Sequence, residues 1–156
     1  MRLAIRLLPI LLATASGCGP GYGQGQRFAP RCLADRTLWS ASGTLEQPAA
    51  AIDGTPSTAA VAPTAGGPRQ LTIDLGEPCL FNMIVIDHGD DEFGFCRSVA
   101  LQTSADGRKF DQHAVVPGNR KVTVICNVTP VLARYVRLKA VVPGDRPWSI
   151  AEVYLQ

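Results

Sequence analysis

Short apolar runs separated by turn residues constrain the fold of this chain more than any other feature of its sequence. Apolar and polar residues alternate at 71–75, and a longer run at 80–87 is rich in β-branched side chains. Clusters of Gly, Pro, Asp and Ser separate these from further alternating runs at 99–101, 122–128, 136–140 and 150–155. Such spacing is typical of short strands joined by tight turns. The pattern predicts an all-β fold of about eight antiparallel strands, a sandwich or a barrel.

The charge balance of the chain argues against two kinds of polyanionic partner. The 156 residues, enough for one domain, include 15 Lys and Arg against 13 Asp and Glu. Arg2 and Arg6 belong to a segment that we expect to be removed, and without them 13 basic residues face 13 acidic ones. A balanced chain offers no electrostatic footprint for nucleic acid or for an anionic membrane surface. We therefore expect neither as a direct partner.

The N-terminal 31 residues have the character of an export signal followed by a linker. Residues 1–17 combine a basic start, a short apolar core and small residues, as a signal peptide does. The sequence Ala-Ser-Gly-Cys at 15–18 resembles a bacterial lipobox, although that motif usually has Leu at the position of Ala15. The resemblance implies acylation of Cys18, and ordinary cleavage after Ala15 is the alternative. Residues 18–31, rich in Gly, Pro and Gln, predict a flexible tether ahead of a domain at 32–156.

These features predict the location of the protein. With a lipid on Cys18, we expect a lipoprotein of a bacterial cell envelope that touches the membrane only through this anchor. Without the lipid, we expect a secreted or periplasmic protein. The domain itself is expected to be monomeric.

Four cysteines follow the signal, at Cys32, Cys79, Cys96 and Cys126. An exported chain meets an oxidising compartment, so two disulfides are expected, with all three pairings open. A zinc site is the weaker interpretation, because no two of these residues have the two-to-four-residue spacing of structural zinc ligands.

The stretch 49–58 has the composition of a tight turn lined by oxygen atoms. Asp53 supplies a carboxylate, Gly54 allows a positive φ angle, and Thr55 and Thr58 add hydroxyl groups. Ca²⁺ prefers such oxygen ligands. An Asp-Gly turn that caps itself with its own side chains is the alternative.

Five separated motifs together resemble one family. They are AIDGTPST at 51–58, LTIDLG at 71–76, TSADG at 103–107, ARYVRL at 133–138 and WSIAEV at 148–153. In this order and spacing they resemble a discoidin domain, also called the factor V and factor VIII type C domain, and the related family 32 carbohydrate-binding modules. The resemblance covers 32–156 and implies an eight-stranded, galactose-binding-like jelly-roll β-sandwich. Such domains bind glycans, phospholipid head groups or proteins through loops at one end, and they do not catalyse.

The same resemblance implies a structural Ca²⁺ ion. Many carbohydrate-binding relatives hold Ca²⁺ between the Asp-Gly turn and an Ala-Glu pair near the C-terminus. Thr55 departs from the family pattern, which usually has Asp or Asn there, and the missing carboxylate is expected to weaken binding. Carried onto this chain, the ligands are Ala50, Asp53, Thr55, Thr58, Ala151 and Glu152.

The loop 88–95 is the predicted ligand site, because it follows a strand with a buried character. Sugar sites combine apolar faces with polar groups that bind hydroxyls. Here Phe93 or Phe95 would stack on the sugar, and its hydroxyls would bond to His88, Asp90, Asp91, Glu92 or Arg97. A solvated acidic turn and a second cation site are the alternatives. The basic turn at 118–121 and the loop at 143–147, which has Arg146 beside Trp148, are further candidates that are also typical of solvated turns.

The function expected from these residues is non-catalytic carbohydrate binding. A protein-interaction or adhesion module of the cell envelope is the alternative. An enzyme is not expected, because the two histidines, His88 and His113, lie in no recognisable catalytic or metal-binding motif.

Overall fold

A computed structural model describes Leu33 and residues 35–64 and 66–156 of the chain. The predicted signal peptide at 1–17 and the tether at 18–31, with Cys18, lie outside the described residues, and so does Cys32. Among the residues described, no helix is long and apolar enough to cross a membrane.

Between Asp35 and the C-terminus, the described residues form eight β-strands and two 3₁₀-helices. The 3₁₀-helices are Arg36–Leu38, before the first strand, and Pro48–Ala51, after it. The strands are β1 Ser40–Gly43, β2 Ala60–Val61, β3 Gln70–Asp87, β4 Ser98–Ser104, β5 Asp111–Pro117, β6 Val122–Val142, β7 Ser149–Ile150 and β8 Glu152–Leu155.

The two longest strands, β3 and β6, connect the layers of the fold. All pairs are antiparallel, and the main sheet has the order β1-β3-β6-β4-β5. The first part of β3 pairs with β1, whereas its last four residues pair with β8. Register shifts in the β3–β6 pairing lie between these two parts, and β2 with β7 forms a separate small sheet. The architecture confirms the predicted antiparallel, eight-stranded jelly-roll β-sandwich.

Two of the expected strand boundaries are wrong. The runs at 71–75 and 80–87 belong to one strand, β3, and those at 122–128 and 136–140 belong to β6. Gly76 and Pro78 have the composition of a turn, but they lie where the register shifts between Asp74 and Cys79. A bulge tolerates Gly and Pro because its extra residue need not pair in the ladder. The turn-forming residues Gly76 and Pro78 therefore lie at an irregularity within β3 and do not end the strand.

The core follows the alternation of the sequence. Leu71, Ile73 and Leu75 on β3 are fully buried, and so is Trp148, while Trp39 is nearly so. Burying an aliphatic side chain of this size stabilises a fold by about 1.5–3 kcal/mol. The sandwich interior is therefore built mainly from alternate residues of its longest strands.

The expectation of two disulfides is wrong. Cys79 is disulfide-bonded. Cys96 and Cys126 are free thiols, the first buried and the second exposed on β6 opposite Met83. Burial raises the pKa of the Cys96 thiol to about 12, so this thiol stays protonated and unreactive.

Candidate functional site

Strand register brings three loops to one end of the sandwich. The last residue of β3, Asp87, pairs with the first of β6, Val122. Ser98, which begins β4, pairs with Pro117 at the end of β5 and with Val142 at the end of β6. The connections 88–97, 118–121 and 143–148 must therefore meet there.

A cavity of about 200 Å³ lies between these loops. We call it the arginine pocket, because three of its side chains are guanidinium groups. Its volume is below the about 300–1,000 Å³ of typical small-molecule sites, so it suits a small group such as one sugar ring. The lining residues are Phe93, Phe95, Arg97, Arg120, Gly144, Asp145 and Arg146.

Backbone hydrogen bonds hold the loop 118–121 against the loop 88–97. The N–H of His88 donates to the carbonyl of Lys121 at 2.8 Å, and the N–H of Lys121 donates to that of Glu92 at 3.2 Å. The N–H of Gly118 donates to the carbonyl of Arg97 at 3.1 Å. Two stretches far apart in sequence therefore form one wall.

Two glycines permit the close approach of these loops. A β-carbon at Gly118 would overlap the carbonyl oxygen of Cys96, and one at Gly144 would overlap that of Phe95. Any larger residue would push the loops 118–121 and 143–148 away from the loop that carries Phe95 and Cys96. The pocket can therefore have this shape only with glycine at both positions.

His88 supports the loops from inside and does not reach a ligand. It is 1% exposed, with Nδ1 2.6 Å from the carbonyl oxygen of Ser149 and Nε2 3.0 Å from Oγ1 of Thr123. A carbonyl only accepts, so Nδ1 carries the proton and Nε2 accepts the Thr123 hydroxyl. Thr123 Oγ1 in turn accepts the N–H of Asn119 at 3.0 Å. Burial lowers the pKa of His88, which keeps the ring neutral.

Phe93 is the exposed aromatic surface of the pocket. Its side chain is 37% exposed, and the guanidinium carbons of Arg120 and Arg146 lie 4.5 Å and 5.4 Å from its ring centroid. A cation at this distance is attracted by the π-electrons of the ring. The ring therefore fixes two positive charges beside the cavity.

Two acidic side chains partly neutralise the three arginines. Asp145 Oδ1 lies 2.7 Å from Nη2 of Arg97, and Asp91 Oδ1 lies 3.3 Å from Nη1 of Arg146. In the part of the chain that the structure describes, Arg120 forms no ion pair. The pocket therefore carries an excess of positive charge.

The predicted ligand residues divide into two groups. Phe93, Phe95 and Arg97 line the pocket, as expected of a binding loop. Asp90 and Glu92 are exposed on the same loop but do not line it, and His88 is buried. Across the described residues, no cluster of three or more His, Cys, Asp and Glu side chains that could hold a metal ion forms.

The sequence signal for the remaining lining residues was weak. Arg120 belongs to the basic turn, and Asp145 and Arg146 belong to the loop before Trp148. In the sequence both loops are candidates for ligand binding, but their composition is also typical of solvated turns. The fold gives them their importance, because it places them beside Phe93.

The Asp53 turn caps itself with its own side chains. Asp53 Oδ1 accepts the N–H of Thr55 at 2.8 Å, and Oδ2 accepts the Thr58 hydroxyl at 2.8 Å. The same hydroxyl oxygen lies 2.8 Å from the carbonyl oxygen of Thr55. The bond from Thr58 and the N–H of Thr55 lower the pKa of Asp53, and the charge of Arg36 lowers it further. The turn therefore has the geometry of the capped alternative, and three of its oxygens converge.

Glu152, the other predicted carboxylate ligand, is fully buried. Its Oε2 accepts Nη2 of Arg36 at 2.6 Å, while Oε1 is buried without a hydrogen-bond partner. Pro56 and Ala151 both approach Gly89, so the Asp53 turn lies beside the start of β8. The donor set is one of hard oxygens, as Ca²⁺ requires, and the orphaned oxygen fits a cation ligand. The guanidinium group of Arg36 already places one positive charge beside the Glu152 carboxylate.

Comparison with known proteins identifies the family. The family model of the F5/8 type C domain matches residues 14–153. The chain belongs to this family. A search of the curated proteins finds no match.

Solved structures of carbohydrate-binding modules share the fold. A Clostridium perfringens module in complex with GalNAc-β-1,3-galactose aligns with a TM-score of 0.69 at 20% identity, covering 77% of this chain and 96% of that one. The family 32 module of C. perfringens NanJ, in complex with galactose, aligns with a TM-score of 0.68 at 20% identity, covering 77% of this chain and 94% of that one. A chitosan-binding module of Paenibacillus sp. IK-5, in complex with chitotriose, aligns with a TM-score of 0.63 at 16% identity, covering 75% of this chain and 93% of that one. At these identities the likeness establishes the fold.

Proposed function

We propose that this domain is a non-catalytic carbohydrate-binding module and that the arginine pocket is its binding site. The observation that carries the proposal is the exposed ring of Phe93 at the loop end of the sandwich, flanked by hydrogen-bonding side chains. An aromatic face with polar groups around it is the usual composition of a sugar site. Structures of the same fold that contain galactose or chitotriose support this choice.

The polar groups of the pocket are arranged for binding and not for acid–base chemistry. Asp91 and Asp145 each form an ion pair with an arginine, so neither carboxylate points at the ligand unpaired. His88 is buried, and His113 Nε2 lies 2.6 Å from Oγ1 of Thr103, away from the lining residues. A general acid or base requires a titratable group within reach of the ligand.

Titration calorimetry with galactose, chitosan and uronic-acid oligosaccharides, or affinity electrophoresis with polysaccharides, tests the proposal. Phe93→Ala should weaken binding by about tenfold or more, because the stacking face is lost. Phe110→Ala is the matched control, since Phe110 lies beside Arg137 and does not line the pocket. Absence of binding to every glycan class at millimolar concentration would reject the proposal.

Protein interaction is the second candidate function, and exposed apolar side chains on β6 favour it. Val128 is fully exposed and Leu132 is 60% exposed, next to a register shift in the β3–β6 pairing. A capture experiment from envelope extract distinguishes the two functions. A stoichiometric protein partner that is lost in a Val128→Asp, Leu132→Asp variant, but kept by Phe93→Ala and by added sugar, would support this alternative.

We propose in addition that the Asp53 turn and Glu152 bind a structural Ca²⁺ ion. The side chains of Asp53, Thr58 and Glu152 and the carbonyl groups of Ala50, Thr55 and Ala151 would hold it, and bound Ca²⁺ would tie this turn to β8. The buried, orphaned Oε1 of Glu152 supports the proposal. EDTA should then lower the melting temperature of the domain, and excess Ca²⁺ should restore it. Thr55→Asp, which adds a carboxylate, should enlarge the shift, whereas an EDTA-insensitive transition in both proteins would reject the site.

We propose that the domain is exported and anchored through lipidated Cys18. The lipobox-like motif and the Gly-rich tether support this view. Expression of the full chain, followed by fractionation, should place the protein in the membrane fraction. Cys18→Ser should release it, and an unchanged distribution would contradict the anchor.

A further inference from the structure

We propose that the arginine pocket selects sugars that carry a negative charge, either a carboxylate or a sulfate ester. This inference rests on the proposed function, since it specifies the class of glycan for the same site. It is argued from the hydrogen-bonding and charged side chains that line the arginine pocket.

The pocket is richer in donors than a neutral sugar requires. A hydroxyl group both donates and accepts, so sites for neutral sugars offer both kinds of partner. A guanidinium group has five N–H donors and no acceptor. Arg97, Arg120 and Arg146 all line the cavity, and its one lining carboxylate, Asp145, already accepts from Arg97. Such a surface is complementary to a ligand with acceptor oxygens and negative charge.

The existing ion pairs can exchange with a ligand. The side chains of Arg97 and Asp145 are 62% and 86% exposed, and the Arg146–Asp91 pair is long, at 3.3 Å. Exposed pairs of this kind contribute little to stability, so replacing their carboxylates loses little. A planar carboxylate or a sulfate offers an arginine two oxygens at once, which is the geometry that a guanidinium binds best.

Arg120 is the strongest single indication. It lines the cavity and forms no ion pair with any residue that the structure describes. Its guanidinium carbon lies 4.5 Å from the centroid of Phe93, so the ring holds the charge in place before a ligand arrives. A sugar stacked near Phe93 would bring its exocyclic group close to this arginine.

The surrounding charges limit the size of the ligand. Apart from Arg2 and Arg6, the sequence has 13 basic and 13 acidic residues, so the positive pocket is a local feature. Asp90 and Glu92 are exposed on the same loop outside the lining and would repel an extended polyanion. Together with the cavity of about 200 Å³, they favour one charged ring or the end of a chain.

Matched sugar pairs test the inference. Calorimetry would compare the methyl glycosides of galactose, galacturonic acid and galactose 6-sulfate, and the corresponding glucose series. At low ionic strength the charged member of a pair should bind at least about tenfold more tightly, and 0.5 M NaCl should reduce that advantage. Comparing the affinities for the uronic acid and for the 6-sulfate then shows whether the pocket prefers a carboxylate or a sulfate ester.

Arginine variants connect the preference to the pocket. Arg120→Gln and Arg146→Gln should each reduce the affinity for the charged sugar by about fivefold to tenfold more than they reduce the affinity for the neutral sugar. Arg108→Gln removes one positive charge outside the pocket and should change neither. Equal affinity for neutral and charged sugars, with Phe93→Ala still weakening the binding of both, would overturn this inference and leave the proposed function intact. Failure of every sugar to bind would overturn both.

Discussion

Two arginine–carboxylate pairs in this domain have nearly the same length and opposite surroundings. Arg36 Nη2 lies 2.6 Å from Glu152 Oε2, and Arg97 Nη2 lies 2.7 Å from Asp145 Oδ1. Glu152 is fully buried, whereas Asp145 is almost fully exposed. A buried carboxylate cannot recover hydration when its partner is removed, but an exposed one can. The first pair therefore belongs to the scaffold, and the second remains available to a ligand.

The largest expected effect is at the buried pair. Glu152→Gln removes the charge that faces Arg36 and leaves a buried amide with poor partners. We expect the free energy of unfolding to fall by about 2–4 kcal/mol, somewhat less than for a fully buried pair, because Arg36 is partly exposed. Chemical denaturation measures the change. A loss below 0.5 kcal/mol would break the contrast between the two pairs.

Gly144→Ala tests whether the pocket depends on close backbone approach. The added methyl group overlaps the carbonyl oxygen of Phe95, so the loop must move outward. We expect a destabilisation of about 1–3 kcal/mol together with weaker glycan binding. Gly66→Ala is the control, since no heavy atom of the described residues beyond its chain neighbours lies within 4 Å of a β-carbon there. Equal melting temperatures and affinities in the two variants would show that the loop adapts freely.

The buried imidazole of His88 predicts a loss of stability in acid. Burial lowers its pKa in the folded state, while the unfolded chain has the ordinary value of about 6.5. Between these values the unfolded state binds more protons, so the contribution is complete above about pH 6.5 and decreases by up to about 1.4 kcal/mol per pH unit below it. Melting temperatures from pH 7.5 to 5 measure the slope. A His88→Gln variant should have a flatter profile, and parallel profiles would contradict this assignment.

The smallest expected effect is at the exposed pair. Asp145→Asn removes the partner of Arg97, and we expect stability to change by less than about 0.5 kcal/mol. Affinity for a charged sugar should increase slightly in this variant, because Arg97 loses a competing carboxylate. Thermal unfolding and calorimetry on the same sample check both expectations. Destabilisation comparable to that of Glu152→Gln would mean that exposure does not distinguish the two pairs.

Local patterns made most of the fold predictable. Alternation at Leu71, Ile73 and Leu75 gave the strand and its buried face, and the five family motifs gave the sandwich. The continuity of β3 was not predictable, because Gly76 and Pro78 have the same composition in a bulge as in a turn. The free state of Cys96 depends on what packs around it, which local sequence does not contain.

The pocket was predictable only in part, because contacts over long sequence separations form it. Phe93, Phe95 and Arg97 come from one loop and could be identified together. Arg146 lies 55 residues from its partner Asp91, so its role depends on the register of β4 and β6. His88 was predicted to contact the ligand, because imidazole side chains often form hydrogen bonds in binding sites. Its burial depends on Thr123 and Ser149, which are distant in sequence.

The unequal exposure of the two free cysteines offers a way to attach reporters to this domain. Cys126 is exposed on β6, while Cys96 is buried with a thiol that stays protonated. Within the part of the chain that the structure describes, a maleimide dye should therefore react with Cys126 alone while the domain is folded. Cys126 is absent from the lining of the arginine pocket, so a dye or a surface attached there leaves that cavity open to a ligand. Labelling of Cys96 would then report the opening of the fold itself, from the same sample and with the same reagent.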